Sequence, residues 1–288
     1  MILHLLRSYI GDEDFFEGLQ FYLKEHAFQS VEVHDLRLAF EHVTGKDLNW
    51  FFNQWFLSSG HPKLKLEHHY DDSTGTLSVE IWQLQDQEKH PLYRLPMEMD
   101  LWYDGMRETH SLVIDSEHTV LEFPAAKAPD LIVPDNSFDL ILETDQEMDS
   151  EAYSQLYHGY TDVRARIKAI RHFVDRWESP LAMETLTAAL KDPFWRLRQL
   201  ALMGVDNNST LVTSEAYPLV LQLAADDHSG VRSDALSVLG NHAPEEHMQV
   251  FYNALNDSSY MVLGTALDYL VQADVEGLQE VVQQFERS

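Results

Sequence analysis

The chain has 288 residues, and its 20 lysines and arginines face 48 aspartates and glutamates, a formal charge of −28. Such a field repels phosphate backbones and anionic lipid, so neither nucleic acid nor a membrane is expected as a partner. With 44% apolar residues, the acidity is that of a folded protein rather than a disordered tail. The absence of cysteine excludes disulfides, thiolate metal sites and cysteine nucleophiles, and at roughly 100 to 200 residues per domain the length allows two or three domains.

Met1 to Arg7 has no basic leader, long apolar core or small-residue cleavage site, so it does not read as a signal peptide. No run reaches the roughly 18 apolar residues of a membrane span. An apolar helical pattern begins at Met1 with no capping residue before it, which gives the chain the look of one that has been cut. Asp12 is placed to cap a helix in which Phe15, Phe16, Leu19, Tyr22 and Leu23 share a face. Leu36, Ala39, Phe40 and Val43 repeat the pattern up to Gly45, a helix stop. Asp47 then precedes Leu48, Phe51, Phe52, Trp55 and Phe56, an aromatic stripe that ends at Gly60 with Pro62 just beyond. Helices so apolar on one side must pack against something large.

From residue 63 the period changes to 2. Lys63 to His68 alternates, Asp72 to Gly75 supplies a turn, and Leu77, Val79 and Ile81 alternate again. Met97, Met99, Leu101 and Tyr103 face one way, and Asp104-Gly105 is a hairpin signal. Segments near 110–115, 119–123 and 138–142 continue the style, so about seven short strands predict an antiparallel β-sandwich. Residues 61–150 hold 6 basic and 20 acidic side chains, half of the net charge. Glu143 to Glu151 reads as a linker.

Beyond it the pattern is helical and repeats. Asp192 with Leu197, Ala201 and Leu202 has the spacing of Asp226 with Val231, Ala235 and Leu236, and of Asp257 with Val262, Ala266 and Leu267. Ala169 and Arg166, which match Ala201 and Arg198, suggest a degenerate first copy, and Leu263 stands where the last copy should have its arginine. The expectation is a HEAT-like α-solenoid of stacked helix pairs, with aspartate capping each second helix and alanine permitting close contact.

Candidate chemistry is sparse. The H-E-x-x-H pattern of a zinc protease helix is absent from the sequence. His68 and His69 point to opposite faces of a predicted strand and cannot chelate one ion. His242 and His247 flank Pro244 at a helix start, and His26, His34 and His42 are eight apart, too far to share a turn. There is no G-x-S-x-G elbow and no glycine-rich phosphate loop. Most carboxylates fall at caps, turns and polar faces, so a glycosidase-like acid pair is the weakest reading. Trp50, Trp55 and the neighbouring phenylalanines could floor a pocket, although helical spacing reads first as core.

Residues 1–66 nevertheless resemble something specific. Met1-Ile2-Leu3-His4-Leu5-Leu6-Arg7, Ile10-Gly11-Asp12 with Phe15 and Phe16, Tyr22, Asp35-Leu36, Thr44-Gly45-Lys46-Asp47-Leu48, Phe51-Phe52-Asn53-Gln54-Trp55 and Gly60-His61-Pro62 together resemble the aminopeptidase N family of zinc metallopeptidases. In that family this stretch follows the catalytic tyrosine. The resemblance implies that residues 1–60 are the helical end of a thermolysin-like catalytic domain, followed by a β-sandwich over 61–145 and a HEAT-like helical domain over 150–288. The zinc-binding helix, its glutamate base and the oxyanion tyrosine of the family have no counterpart in this sequence. No catalytic, cofactor-binding or metal-ligating residue is therefore expected: zinc belongs to the intact family, and this chain alone should be inactive. Its expected partners are peptides or the missing catalytic portion. The alternative is a non-enzymatic module that grips a protein or peptide with its solenoid. An apolar face left exposed on the first helices would favour the peptidase reading.

Overall fold

The computed structural model describes residues 1–208 and 210–273. The last fifteen residues of the expected 150–288 helical domain, and Ser209, lie outside the described residues. The chain divides into two compact units, Met1–Met148 and Asp149–Ser288.

The first unit opens with helices α1 (Ile2–Ile10), α2 (Asp12–Glu25), α3 (Val33–Thr44) and α4 (Asn49–Trp55). Asp12 does not cap α2. The cap position is Gly11, whose φ of 94° lets the chain turn between the two helices, while the Asp12 carboxylate takes a two-pronged ion pair from Arg7 at 2.6 and 2.7 Å. Gly45 ends α3 in the left-handed conformation, with its N–H on the Glu41 carbonyl. Asp47 accepts from the Asn49 backbone and side-chain amides, which hold its carboxyl below the usual range just ahead of α4.

Seven strands follow among the described residues: β1 (Lys63–Asp71), β2 (Thr76–Gln83), β3 (Leu95–Tyr103), β4 (Met106–Ile114), β5 (His118–Pro124), β6 (Leu131–Val133) and β7 (Glu143–Gln146). One sheet has the order β5-β2-β1-β7 and the other β4-β3-β6. Asp104 and Gly105 join β3 to β4 with φ of 50° and 76°, the twist that a two-residue hairpin requires. Two expectations are corrected. Residues 138–142 form no strand, because Phe138 turns left-handed at φ 55° and the Asp135 carboxylate captures the Leu140 amide. The acidic stretch from Glu143 is in part a strand rather than a linker. β7 runs parallel to β1, with Lys63 opposite Glu143, so the pairing is not antiparallel throughout. Glu143 is drawn there by His61 at 2.7 Å and Lys63 at 3.4 Å, and Gln146 donates to the Ile132 carbonyl at 2.8 Å. Polar groups place this edge strand, so hydrophobic alternation does not report it.

Helices and sheets of this unit share one core. Phe40, Leu48, Phe51 and Phe52 lie at 0 to 1% exposure in a continuous cluster with Leu77, Val79 and Ile81 of one sheet and Leu95, Met99 and Leu101 of the other. Burying these side chains contributes about 1.5 to 3 kcal/mol each, the main stabilising term here.

Among the described residues the second unit comprises α5 (Ser150–Gly159), α6 (Val163–Val174), α7 (Pro180–Ala189), α8 (Trp195–Asp206), α9 (Tyr217–Leu223), α10 (Ser229–His242), α11 (Met248–Ala254) and α12 (Tyr260–Gln272). α6 packs on α8, α8 on α10 and α10 on α12. Ala165, Ala169, Ala201, Ala235 and Ala266 are fully buried along these contacts, where a larger side chain would push the helices apart. The repeated aspartates are not the caps expected. Asp192, Asp226 and Asp257 stand two residues ahead of the cap positions Phe194, His228 and Ser259 and accept their backbone amides at 2.8 Å. Each also receives an arginine from the preceding helix of the series: Arg166 on Asp192 at 2.5 Å, Arg198 on Asp226 at 2.7 Å and Arg232 on Asp257 at 2.7 Å. The ladder ends where Leu263 replaces the arginine.

Candidate functional site

A cleft of about 620 Å³ opens in the first unit between α1, α4, the β3–β4 hairpin and the loop 135–140. Its floor is aromatic. The Tyr9 ring meets Trp50 edge-on at 5.3 Å, and Phe51 and Trp55 lie beneath, at 1% and 7% exposure. The aromatic stripe is thus core on one side and cleft wall on the other, because a helix this short turns both faces to apolar partners.

Arg94 is held over this floor from behind. The Gln54 amide, one turn beyond Trp50 on α4, donates to the Arg94 carbonyl at 3.1 Å and accepts the Arg94 N–H at 2.7 Å. That clamp positions the guanidinium 5.0 Å from the Trp50 ring centroid, a cation–π contact at the cleft mouth. On the opposite rim the Asp139 carboxylate is shared between two residues of α1. His4 bonds one oxygen at 2.8 Å and Ser8 donates to the other at 2.5 Å. The loop that delivers Asp139 is pinned by Asp135, which accepts from Ser137 Oγ and the Leu140 amide at 3.0 Å each. Asn136 ties it further to the Glu98 carbonyl and to the buried Asp100.

The Ser8 hydroxyl donates a hydrogen bond to a carboxylate that holds His4 on its other oxygen, so the His4 imidazole is not the acceptor of that hydroxyl. An apolar aromatic floor with a cation and carboxylates at its rim suits a ligand with an apolar side chain and a polar backbone. Of these residues only Trp50, Trp55 and the adjacent phenylalanines were legible in the sequence. Arg94, Asp139, Ser8 and Gln54 come from four separate segments with no motif to connect them.

The histidine candidates are scattered. His68 and His69 face Val79 and Ser78 across the β1–β2 ladder. His42 stacks on Phe21 at 4.4 Å and His26 lies against Tyr22, while His34 is exposed on α3. His242 bonds the Asp206 carbonyl at 2.8 Å, whereas His247 bonds the Tyr217 hydroxyl. Among the described residues no three metal-ligating side chains converge, so these residues do not fit the zinc of the intact family.

Comparison with known proteins gives these helices a context. Residues 1–55 match the Peptidase family M1 domain. The chain is 42% identical over 65 residues to tricorn protease-interacting factor F2 of Thermoplasma volcanium, a match covering 23% of this chain and 8% of that protein. It is 27% identical over 110 residues to aminopeptidase N of Lactococcus lactis, covering 38% and 13%. A crystal structure of Legionella pneumophila aminopeptidase A in complex with aspartic acid superposes with a TM-score of 0.74 at 17% identity, over 99% of this chain and 40% of that one. The chain therefore spans well under half the length of these relatives. Residues 1–55 thus match the Peptidase family M1 domain, and the chain is similar to the C-terminal part of aminopeptidases.

Proposed function

We propose that this chain supplies the C-terminal part of a zinc metallo-aminopeptidase, forming one wall of a catalytic domain whose zinc ligands it does not itself provide. In this reading residues 1–60 complete that domain, residues 61–145 are a β-sandwich spacer, and residues 150–288 are a HEAT-like solenoid that limits which peptides enter. Alone, the chain hydrolyses nothing. The observation that carries the reading is the outer face of the segment matching the M1 domain. Phe16 and Leu23, seven residues apart on α2, Leu38 on α3 and the fully exposed Phe28 are all large apolar side chains left exposed within the matched segment. Several such side chains exposed in one short segment suit a surface made for cover.

Aminoacyl chromogenic substrates, offered to the chain with and without added zinc while bound metal is counted, test the proposal. The expected result is no turnover and no stoichiometric zinc. Turnover accompanied by one zinc per chain would overturn it, and would mean that histidines and carboxylates described above as scattered build a site together.

A further inference from the structure

α6 concentrates positive charge in a chain that has little. Arg164, Arg166, Lys168, Arg171 and Arg176 make up a quarter of the chain's 20 lysines and arginines, and α6 itself contains no acid. Arg166 turns away to Asp192, as part of the ladder. Arg164, Lys168, Arg171 and His172 recur three or four residues apart, which places them on one face, away from the buried Ala165, Ala169, Ile170 and Phe173. Arg176 folds back on the last turn by donating to the His172 carbonyl at 2.8 Å. With Tyr153 these side chains line a cavity of about 580 Å³. Its polar end is ordered, for the His172 ring stacks on Tyr153 at 4.0 Å and bonds Ser150 Oγ at 3.1 Å. Burial lowers the pKa of His172, helped by the Arg176 charge, and burial does the same to the Lys168 amine, as expected in a partly dry, positive pocket. Of the acids around it, Asp162 is paired with Arg164 and Asp149 caps α5, while Asp175 stands next to Arg176 in the chain and Glu151 just ahead of Tyr153.

We infer that this cavity binds a short acidic peptide segment whose carboxylates lie along successive turns of α6. Guanidinium groups recognise carboxylates by paired hydrogen bonds. With Arg164 held by Asp162, Lys168 and Arg171 on α6 and Arg176 just past its end follow one another at about a helical turn of 5.4 Å, and alternate side chains of an extended peptide recur about every 6.6 Å, so more than one carboxylate is met at once. A compact anion would occupy one turn and leave the others unused. A long polyanion would run off the cavity onto a surface of net charge −28 and be repelled. The inference is independent of the peptidase reading, since it needs only the second unit.

Fluorescence anisotropy of a dye-labelled peptide of about eight residues, alternating glutamate and glycine, titrated with the full chain in low salt, tests it. Saturable binding is expected, lost when the glutamates become glutamines and weakened about tenfold or more in an Arg171→Gln/Arg176→Gln variant. Lys168→Met, which removes a partly buried charge, should also weaken it. Lys191→Gln, an exposed charge elsewhere in the unit, should leave affinity within about twofold. Equal binding of the glutamine peptide, or unchanged affinity in both cavity variants, would overturn the inference. Displacement by inorganic phosphate at concentrations equal to the peptide's would also overturn it, by assigning the cavity to a compact anion.

Discussion

Single side chains decide how the cleft is held. Gln54 has no apolar role, yet at 8% exposure it spends both ends of its amide on the Arg94 backbone. Gln54→Leu removes both hydrogen bonds and leaves the Arg94 groups half-buried without partners, so it should destabilise the first unit by about 1 to 3 kcal/mol in urea unfolding. Leu38→Ala, on the exposed face of α3, should change stability by less than about 0.5 kcal/mol in the same assay. A large loss there would mean that the face is already covered by the chain itself. Gly18 shows a different constraint. A Cβ at this position would lie 2.4 Å from the Phe40 ring, so Gly18→Ala forces α2 away from α3 and should cost about 1 to 3 kcal/mol. Gln54 stands in the run that carries the family resemblance, but neither its clamp on Arg94 nor the Gly18 constraint can be read there, because what each does is set by residues far along the chain.

Between elements, the arginine–aspartate ladder does the work expected of capping aspartates and more. Each aspartate satisfies a backbone amide at the start of one helix of the series α8, α10, α12 and neutralises an arginine from the helix two before it, so it couples consecutive pairs. Arg198 and Asp226 are 14% and 9% exposed. Arg198→Ala therefore leaves a nearly buried carboxylate unpaired and should cost about 3 kcal/mol, read as a lower urea midpoint of the second unit. The pair of Arg232 and Asp257 also sets a pH dependence. The Arg232 guanidinium holds the Asp257 carboxyl below its usual range. The folded pKa thus lies below the unfolded one, so the stabilisation is complete above about pH 4 and is lost as pH falls through the folded value. In Arg232→Gln this acid-side loss should shrink, which a series of urea midpoints from pH 6 down to about pH 3 would show. The spacing of Asp, Ala and Leu was legible in the sequence. The interhelical pairing was not, since a spacing of some 25 to 28 residues between partners carries no local pattern.

For the molecule as a whole, charge is the dominant global property. Most described cations are spent on adjacent acids, so the remaining negative field is self-repulsive. Raising salt from about 0.05 M to 0.5 M shortens the Debye length to a few ångströms and should raise the thermal midpoint in calorimetry. A falling midpoint would mean that the short ion pairs outweigh the repulsion. Composition alone established this field, as well as the exclusion of disulfides and cysteine chemistry. Local periodicity sufficed for α2, α3, the β1–β2 and β3–β4 hairpins and the recurrent alanines, because 3.6- and 2-residue patterns and turn glycines such as Gly45 and Gly105 act within a few residues. The aromatic stripe and the run from Met1 to Arg7 carried the family resemblance that the M1 match later bore out. The tertiary structure decided the rest. It made β7 a parallel edge strand from an acidic stretch, brought Arg94, Trp50 and Asp139 to one cleft, and turned repeated aspartates into interhelical clamps. In each case the deciding contact joins groups distant in sequence, and its energy exists only once the intervening chain has folded to bring them together.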